Sequence, residues 1–185
     1  MALTLAGDAD AAQAVAEESL RADQSSAMLW LLLGYVKRHA GRADEADRTW
    51  QRGIAMVHRT SGADSRNFRV RAALANMLAC IGRTEDGSEI ADLIEAEEPL
   101  NAYLLYRSAH IRAALGQTRP AIGLIDRARR TGFLSVQMLK CEQQVCALAS
   151  LGGMPDYLAA VRTLDEQVDR LRTHYEPILE TLSSG

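Results

Sequence analysis

The chain has few cysteines, prolines and aromatic residues. Its 185 residues include three cysteines, four prolines and 5% aromatic residues. An odd number of cysteines with no Cys-x-x-Cys pair argues against a disulfide framework and indicates a reducing compartment. Scarce prolines and aromatics, together with abundant alanine and leucine, favour helices over sheets. These shortages predict an all-α protein.

Motifs for catalysis and metal binding are also missing. The sequence has no Gly-rich phosphate loop, no His-Glu-x-x-His and no Gly-x-Ser-x-Gly. Its four histidines lie far apart, without the spacing of metal ligands. The net charge is −3 with both signs interspersed, which is not the pattern of a nucleic-acid-binding protein. We therefore expect no enzymatic activity, no cofactor, no metal and no direct contact with nucleic acid.

The chain also lacks a long hydrophobic run. The longest apolar stretch, Ala27–Val36, is too short to cross a bilayer. The first four residues are followed closely by Asp8 and Asp10, and this is not a signal peptide. We therefore expect a cytoplasmic protein without membrane insertion.

What the chain does contain is a repeated helical turn. Turn glycines recur at intervals of 34, 41 and 34 residues: Gly7, Gly41, Gly82 and Gly116. Five positions after each glycine stands a small residue, as close packing of two helices requires: Ala12, Ala46, Gly87 and Ala121. The interval of 41 is one period plus an insertion, which we place within His58–Asn67.

The stretch Ala27–Thr60 carries the repeat most clearly. Two helical runs there have apolar and small residues at helical spacing: Trp30, Leu33 and Gly34 in the first, and Ala46, Trp50 and Ile54 in the second. This stretch resembles the tetratricopeptide repeat (TPR), whose pattern Trp-x-x-Leu-Gly recurs with a period of about 34 residues. It departs from the family pattern at Lys37 and His58. The chain as a whole resembles a divergent, bacterial-type TPR array.

The resemblance implies a TPR-like right-handed α-solenoid of antiparallel helix pairs. Half a unit is expected at residues 1–26, followed by units at about 27–60, 68–101 and 102–135. The half unit lacks a first helix, which favours a fragment of a longer protein. Alternatively, the open end pairs with a second copy, or the first residues pack in an irregular way.

Residues 136–185 are expected to form C-terminal helices. The stretch Leu134–Leu151 has the apolar spacing of one helix, and Pro155 begins a second. Apolar residues of the second follow a heptad pattern: Tyr157, Val161, Leu164, Val168, Leu171, Tyr175, Ile178 and Leu182. Such a helix either caps the array or forms a homodimer. Pro177 is expected to kink or end it near Glu176.

The family resemblance also implies a binding surface. In TPR arrays the first helix of each pair lines a concave groove that receives a partner. The groove residues carried over to this chain are Tyr35, Arg38, His39, Arg69, Asn76, Tyr103, Tyr106 and His110. They imply a non-enzymatic protein–protein interaction scaffold that binds a peptide or protein segment. The alternative is a small-molecule-sensing regulatory domain of a larger bacterial transcription regulator or signalling protein.

Overall fold

The computed structural model describes residues 9–60, 67–97, 101–133, 135–136, 139 and 147–183. The regular elements in these ranges are helices: α1 Ala9–Ala22, α2 Ala27–His39, α3 Ala43–Thr60, α4 Phe68–Cys80, α5 Thr84–Glu95, α6 Ala102–Ala114, α7 Thr118–Arg130, a short 3-10 helix Ala147–Leu151, and α8 Pro155–Ser183. The prediction of an all-α fold is confirmed for these residues. None of the helices in them is long and apolar enough to cross a membrane.

Similar glycine turns join α2 to α3, α4 to α5 and α6 to α7. Gly41, Gly82 and Gly116 have φ of 77°, 82° and 72°. In each turn the N–H of the residue after the glycine donates to a carbonyl five residues earlier, at 2.8–2.9 Å. This bond closes the C-terminus of the first helix, and glycine allows it because the left-handed region strains other residues. The three predicted turns are confirmed, while Gly7 lies outside the described residues.

Asparagine side chains cap the N-termini of α4 and α6, each of which is the first helix of a helix pair. Asn67 Oδ1 accepts a bond from the N–H of Arg69 at 3.0 Å, and Asn101 Oδ1 accepts one from the N–H of Leu104 at 2.9 Å. An Asn in this position satisfies an N–H that the helix itself leaves without a partner. As a result, α4 and α6 begin at the first residues of two predicted units.

The small residues after each turn lie where helices pack closely. The three alanines are buried: Ala12, Ala46 and Ala121. A Cβ placed on Gly87 would lie 3.1 Å from the carbonyl oxygen of Ala75 and 3.1 Å from Leu115 Cδ2. The sequence expectation of close helix contact at these positions is confirmed.

The helices pack in pairs, and the pairs also contact each other. The most extensive contacts are between α2 and α3, between α4 and α5, and between α6 and α7. In addition, α2 contacts α4 and α4 contacts α6, so the first helices of three successive pairs lie side by side. This row of first helices positions the candidate site.

The C-terminal residues share a core with the last helix pair. The 3-10 helix packs against α6, and its Leu148 and Leu151 are fully buried. At the start of α8, Tyr157 and Leu164 belong to the same core. Of the predicted helix Leu134–Leu151, the described end is this 3-10 helix, and most of the rest lies outside the described residues. The first half of α8 therefore covers the end of the last pair.

The second half of α8 differs from the sequence expectation in one respect. Of the two expected effects of Pro177, a kink or an end near Glu176, the end does not occur, because the helix continues through Pro177 to Ser183. A proline removes one backbone hydrogen bond, which leaves the carbonyl four residues earlier without its donor. Residues 171–176 are exposed, so water reaches that carbonyl and the loss does not break the helix.

Candidate binding surface on the first helices

The row of first helices leaves an opening near its N-terminal ends. This N-terminal opening has a volume of about 810 Å³. Residues near the starts of α2, α4 and α6 line it, among them Met28, Leu32, Asn67, Arg69, Tyr103 and Arg107. Its walls therefore combine apolar side chains, a phenol and two guanidinium groups.

A second opening lies near the other end of the same three helices. This C-terminal opening has a volume of about 380 Å³. Its walls come from the last turns of α2, α4 and α6 and from the 3-10 helix, including Tyr35, Arg38, His39, Cys80, Ala113 and Ser150. The chain's own C-terminal segment thus forms one side of this opening.

The structure divides the eight predicted groove residues into three sets. Arg69 and Tyr103 line the N-terminal opening. Tyr35, Arg38 and His39 line the C-terminal opening. The remaining three are buried in the row of helices: Asn76, Tyr106 and His110.

Asn76 connects α4 to α2 inside the row. Only 1% of its surface is exposed. Its Nδ2 donates to the carbonyl of Ala72 at 2.8 Å, and the hydroxyl of Tyr35 donates to its Oδ1 at 3.5 Å. Because a buried amide without partners is costly, these bonds explain why Asn76 is tolerated there. Through this bond Asn76 holds Tyr35, which lines the C-terminal opening.

Tyr106 and His110 were expected to face an open groove, and the structure buries both instead. The Tyr106 ring stacks on Phe133, with centroids 4.3 Å apart and planes 17° apart. The 3-10 helix also packs against α6 on this side of the fold. Tyr106 lies in one apolar core with Phe133, Leu148 and Leu151. His110 is 2% exposed, and its ring contacts that of Tyr106. The middle of α6 is therefore occupied from within the chain.

Burial changes the acid–base behaviour of His110. Desolvation, followed by the charge of Arg107, lowers the pKa of His110 well below its ordinary value. Its Nε2 lies 3.1 Å from the hydroxyl of Tyr106. The folded protein therefore holds His110 as a neutral imidazole at neutral pH.

This neutral imidazole predicts a loss of stability in mild acid. Below its ordinary pKa near 6.5, His110 takes up a proton in the unfolded chain but not in the folded one, so falling pH favours unfolding. We expect the free energy of unfolding to fall by about 1 kcal/mol between about pH 7.5 and about pH 5.5 on account of His110. Urea denaturation at the two pH values measures it. The free energy of unfolding of the His110→Gln variant should fall less than that of the native protein between the two pH values. Equal falls in the two proteins would contradict the assignment of this effect to His110.

The C-terminal opening is built on fixed side chains. The guanidinium of Arg38 lies 2.7 Å from Asp47 Oδ1 and 4.3 Å from the centre of the Trp50 ring, and it donates to the carbonyl of Cys80 at 3.2 Å. Burial raises the pKa of the Cys80 thiol, against a smaller effect of its contact with the Tyr35 hydroxyl. Since the thiolate is the nucleophile, a raised pKa makes Cys80 a packing residue with weak reactivity. The polar side chains of this opening are therefore held in place by contacts with neighbouring residues.

Two features of the surface were not predicted from the sequence. Arg107 stands four residues after Tyr103, which places the two on one face of α6, and this spacing was the available signal. The second feature is the wall of the C-terminal opening that Ala147–Leu151 forms. The local sequence does not indicate it, because it depends on how this segment folds back onto helices that are distant in the chain. In the described part of the chain, no group of three His, Cys, Asp or Glu residues could hold a metal ion.

No protein-family model matches the chain, and comparisons with curated proteins and with solved structures find no match. The function proposed below therefore rests on the geometry of the two openings.

Proposed function

We propose that the helix pairs form a TPR-like right-handed solenoid whose row of first helices binds a peptide or protein segment without catalysing a reaction. One observation carries this proposal. Five predicted groove residues, drawn from three successive helix pairs, line two openings at the ends of the same three helices. A partner that contacts both openings would run along the three helices and would be held close to any protein joined to this one.

The size and composition of the openings support a binding role. Their volumes fall in the range of about 300–1,000 Å³ that is usual for ligand sites. Tyr103 is 39% exposed and lines the larger opening. Aromatic side chains with a polar tip are frequent anchors in protein interfaces. We expect Tyr103 to supply a large part of the binding energy.

The C-terminal segment limits where a partner binds. Because Tyr106 and His110 are buried, and Tyr106 shares a core with Phe133 and the 3-10 helix, the middle of α6 is closed to a ligand. A partner is expected to contact α2, α4 and the two ends of α6. This arrangement leaves the two openings as the contact sites of the proposed groove.

A small molecule is the second candidate ligand, and the C-terminal opening favours it. Three helices and the 3-10 helix surround a space of about 380 Å³. The hydroxyls of Tyr35 and Ser150 line this space among alanines, and they already donate to Asn76 Oδ1 and to the carbonyl of Ala147. A ligand there would contact both the row of first helices and the C-terminal segment, as a sensing domain requires.

The scaffold proposal predicts a specific effect of Tyr103→Ala. We expect peptides selected from a random display library to bind the native protein and to lose at least about tenfold in affinity on this change, because an anchoring ring is removed. Fluorescence anisotropy measures the Kd. Leu93→Ala is the matched control, since Leu93 is 57% exposed on α5, outside both openings. Failure to select any peptide would contradict the scaffold proposal, and thermal stabilisation by a metabolite would then favour the second candidate.

A further inference from the structure

We propose that a third opening, formed by α1, α2 and α3, binds a small organic acid whose flat apolar body lies on the α2 side chains and whose carboxylate pairs with Arg21 and Arg52. The inference goes beyond the scaffold function, because none of the residues that line this opening lines the other two. It follows from the shape, the apolar floor and the arginines of the opening.

The third opening has a volume of about 350 Å³. Side chains of α1, α2 and α3 line it, and α2 contacts both of the other helices. Its described lining residues all lie within 9–60, a range that the structure describes without a gap. The volume falls in the range of about 300–1,000 Å³ that is usual for sites of small ligands.

The floor of the third opening is apolar and fixed in position. Leu20 and Leu33 are 7% and 4% exposed, and the Trp30 indole lies beside them. Trp30 Nε1 donates to the carbonyl of Gln24 at 3.0 Å, so the indole offers a ligand its apolar ring. A Cβ on Gly53 would lie 2.6 Å from Trp30 Cβ, so α3 packs closely against this side chain. A flat ring therefore meets a surface that is already formed.

Two arginines from different helices line the same opening. Arg21 lies in the last turn of α1, Arg52 lies on α3, and both are exposed. Within the described part of the chain, neither guanidinium makes a hydrogen bond or an ion pair. Guanidinium groups keep their charge at physiological pH and bind carboxylates through paired hydrogen bonds. Both cations are therefore available to an anionic ligand.

The other polar groups of the opening already have partners. Lys37 Nζ lies 3.9 Å from Glu17 Oε1 and 3.7 Å from Glu45 Oε2. Glu17 Oε1 also accepts a bond from Gln13 Nε2 at 2.8 Å. The hydroxyl of Thr49 donates to the carbonyl of Glu45 at 2.7 Å. We therefore assign the recognition of a carboxylate to the two arginines and not to this lysine.

The balance of apolar and charged contacts defines the class of ligand. Ion pairs at exposed side chains are individually weak, because water screens them. Burial of a ring against Trp30 and the leucines therefore has to supply most of the affinity, and the arginines select the charge. An aromatic carboxylate meets both requirements, whereas a sugar or an inorganic anion lacks the apolar body.

The test measures the binding of three aromatic carboxylates: benzoate, 2-naphthoate and indole-3-carboxylate. Each is paired with its primary amide, which has the same ring and no charge. We expect at least one carboxylate to bind with a Kd below about 1 mM by calorimetry, and its amide to bind at least about tenfold more weakly. Arg21→Gln and Arg52→Gln should each raise the Kd of the carboxylate about threefold to fivefold, and the double variant at least about tenfold.

Arg48→Gln is the matched control for Arg52→Gln. Arg48 is exposed one turn earlier on α3, outside the opening, and its loss changes the net charge equally. Its Kd should stay within about twofold of the native value. Three results would overturn the inference: no carboxylate binds, a carboxylate and its amide bind equally, or Arg48→Gln weakens binding as much as Arg52→Gln. Each would leave the scaffold proposal standing, because that proposal concerns the other two openings.

Discussion

Gly34→Ala is expected to destabilise the protein by about 3 kcal/mol or more, although alanine is the better helix former. A Cβ at position 34 would lie 2.5 Å from Trp50 Cδ1 and closer still to Nε1 and Cε2. Trp50 is fully buried, and its Nε1 donates to the carbonyl of Leu31 at 3.1 Å, so the indole has no room to move. Alanine in place of glycine gains roughly 1 kcal/mol in a helix, which is less than the cost of the clash. Urea denaturation followed by circular dichroism measures the difference.

Gly123→Ala is the matched control for this change. Gly123 also lies inside a helix, but nothing is within 4 Å of the position that its Cβ would take. The control should therefore stabilise the protein, by up to about 1 kcal/mol. If both substitutions changed the free energy of unfolding in the same direction, this would contradict the close contact of α2 and α3 at Trp50.

Tyr157→Ala is expected to cost about 3–5 kcal/mol, because a large aromatic side chain is removed from a packed core. Tyr157 is fully buried, and its hydroxyl donates to the carbonyl of Leu139 at 3.4 Å. Its neighbours in this core come from α6, α7 and the 3-10 helix. Loss of the ring should loosen the C-terminal segment from α6 and expose Tyr106. Chemical denaturation measures the cost, and hydrogen exchange at α6 measures the exposure.

Tyr175→Ala on the same helix is the matched control. Tyr175 is 51% exposed in the half of α8 beyond the core, so its removal should change stability by less than about 0.5 kcal/mol. This pair also tests the alternative in which the heptads of α8 form a dimer. A dimer in light scattering that Tyr175→Ala converts to a monomer would show that the second half of α8 is an interface.

Several local features of this protein follow from its sequence alone. The recurrence of glycine predicted turns at Gly41, Gly82 and Gly116, and in the structure each of these glycines has the left-handed φ that ends a helix before a tight turn. The helix starts and the close packing at Gly87 followed from spacing and side-chain size. The turns and the helix starts depend on neighbours within one helix pair, so a single stretch of sequence contains the information.

Which of the predicted groove residues reach solvent depends on how the helices pack. Helical spacing places Tyr106, His110 and Asn76 on the same kind of face as Tyr103, yet these three are buried and Tyr103 is exposed. For Tyr106 the difference comes from Phe133 and the 3-10 helix, which fold back onto α6 from later in the chain. For Asn76 it comes from α2, whose Tyr35 hydroxyl donates to its Oδ1. Periodicity identifies the face of a helix that needs a partner. Which distant segment supplies that partner depends on packing free energies summed over the whole core, and local sequence does not contain them.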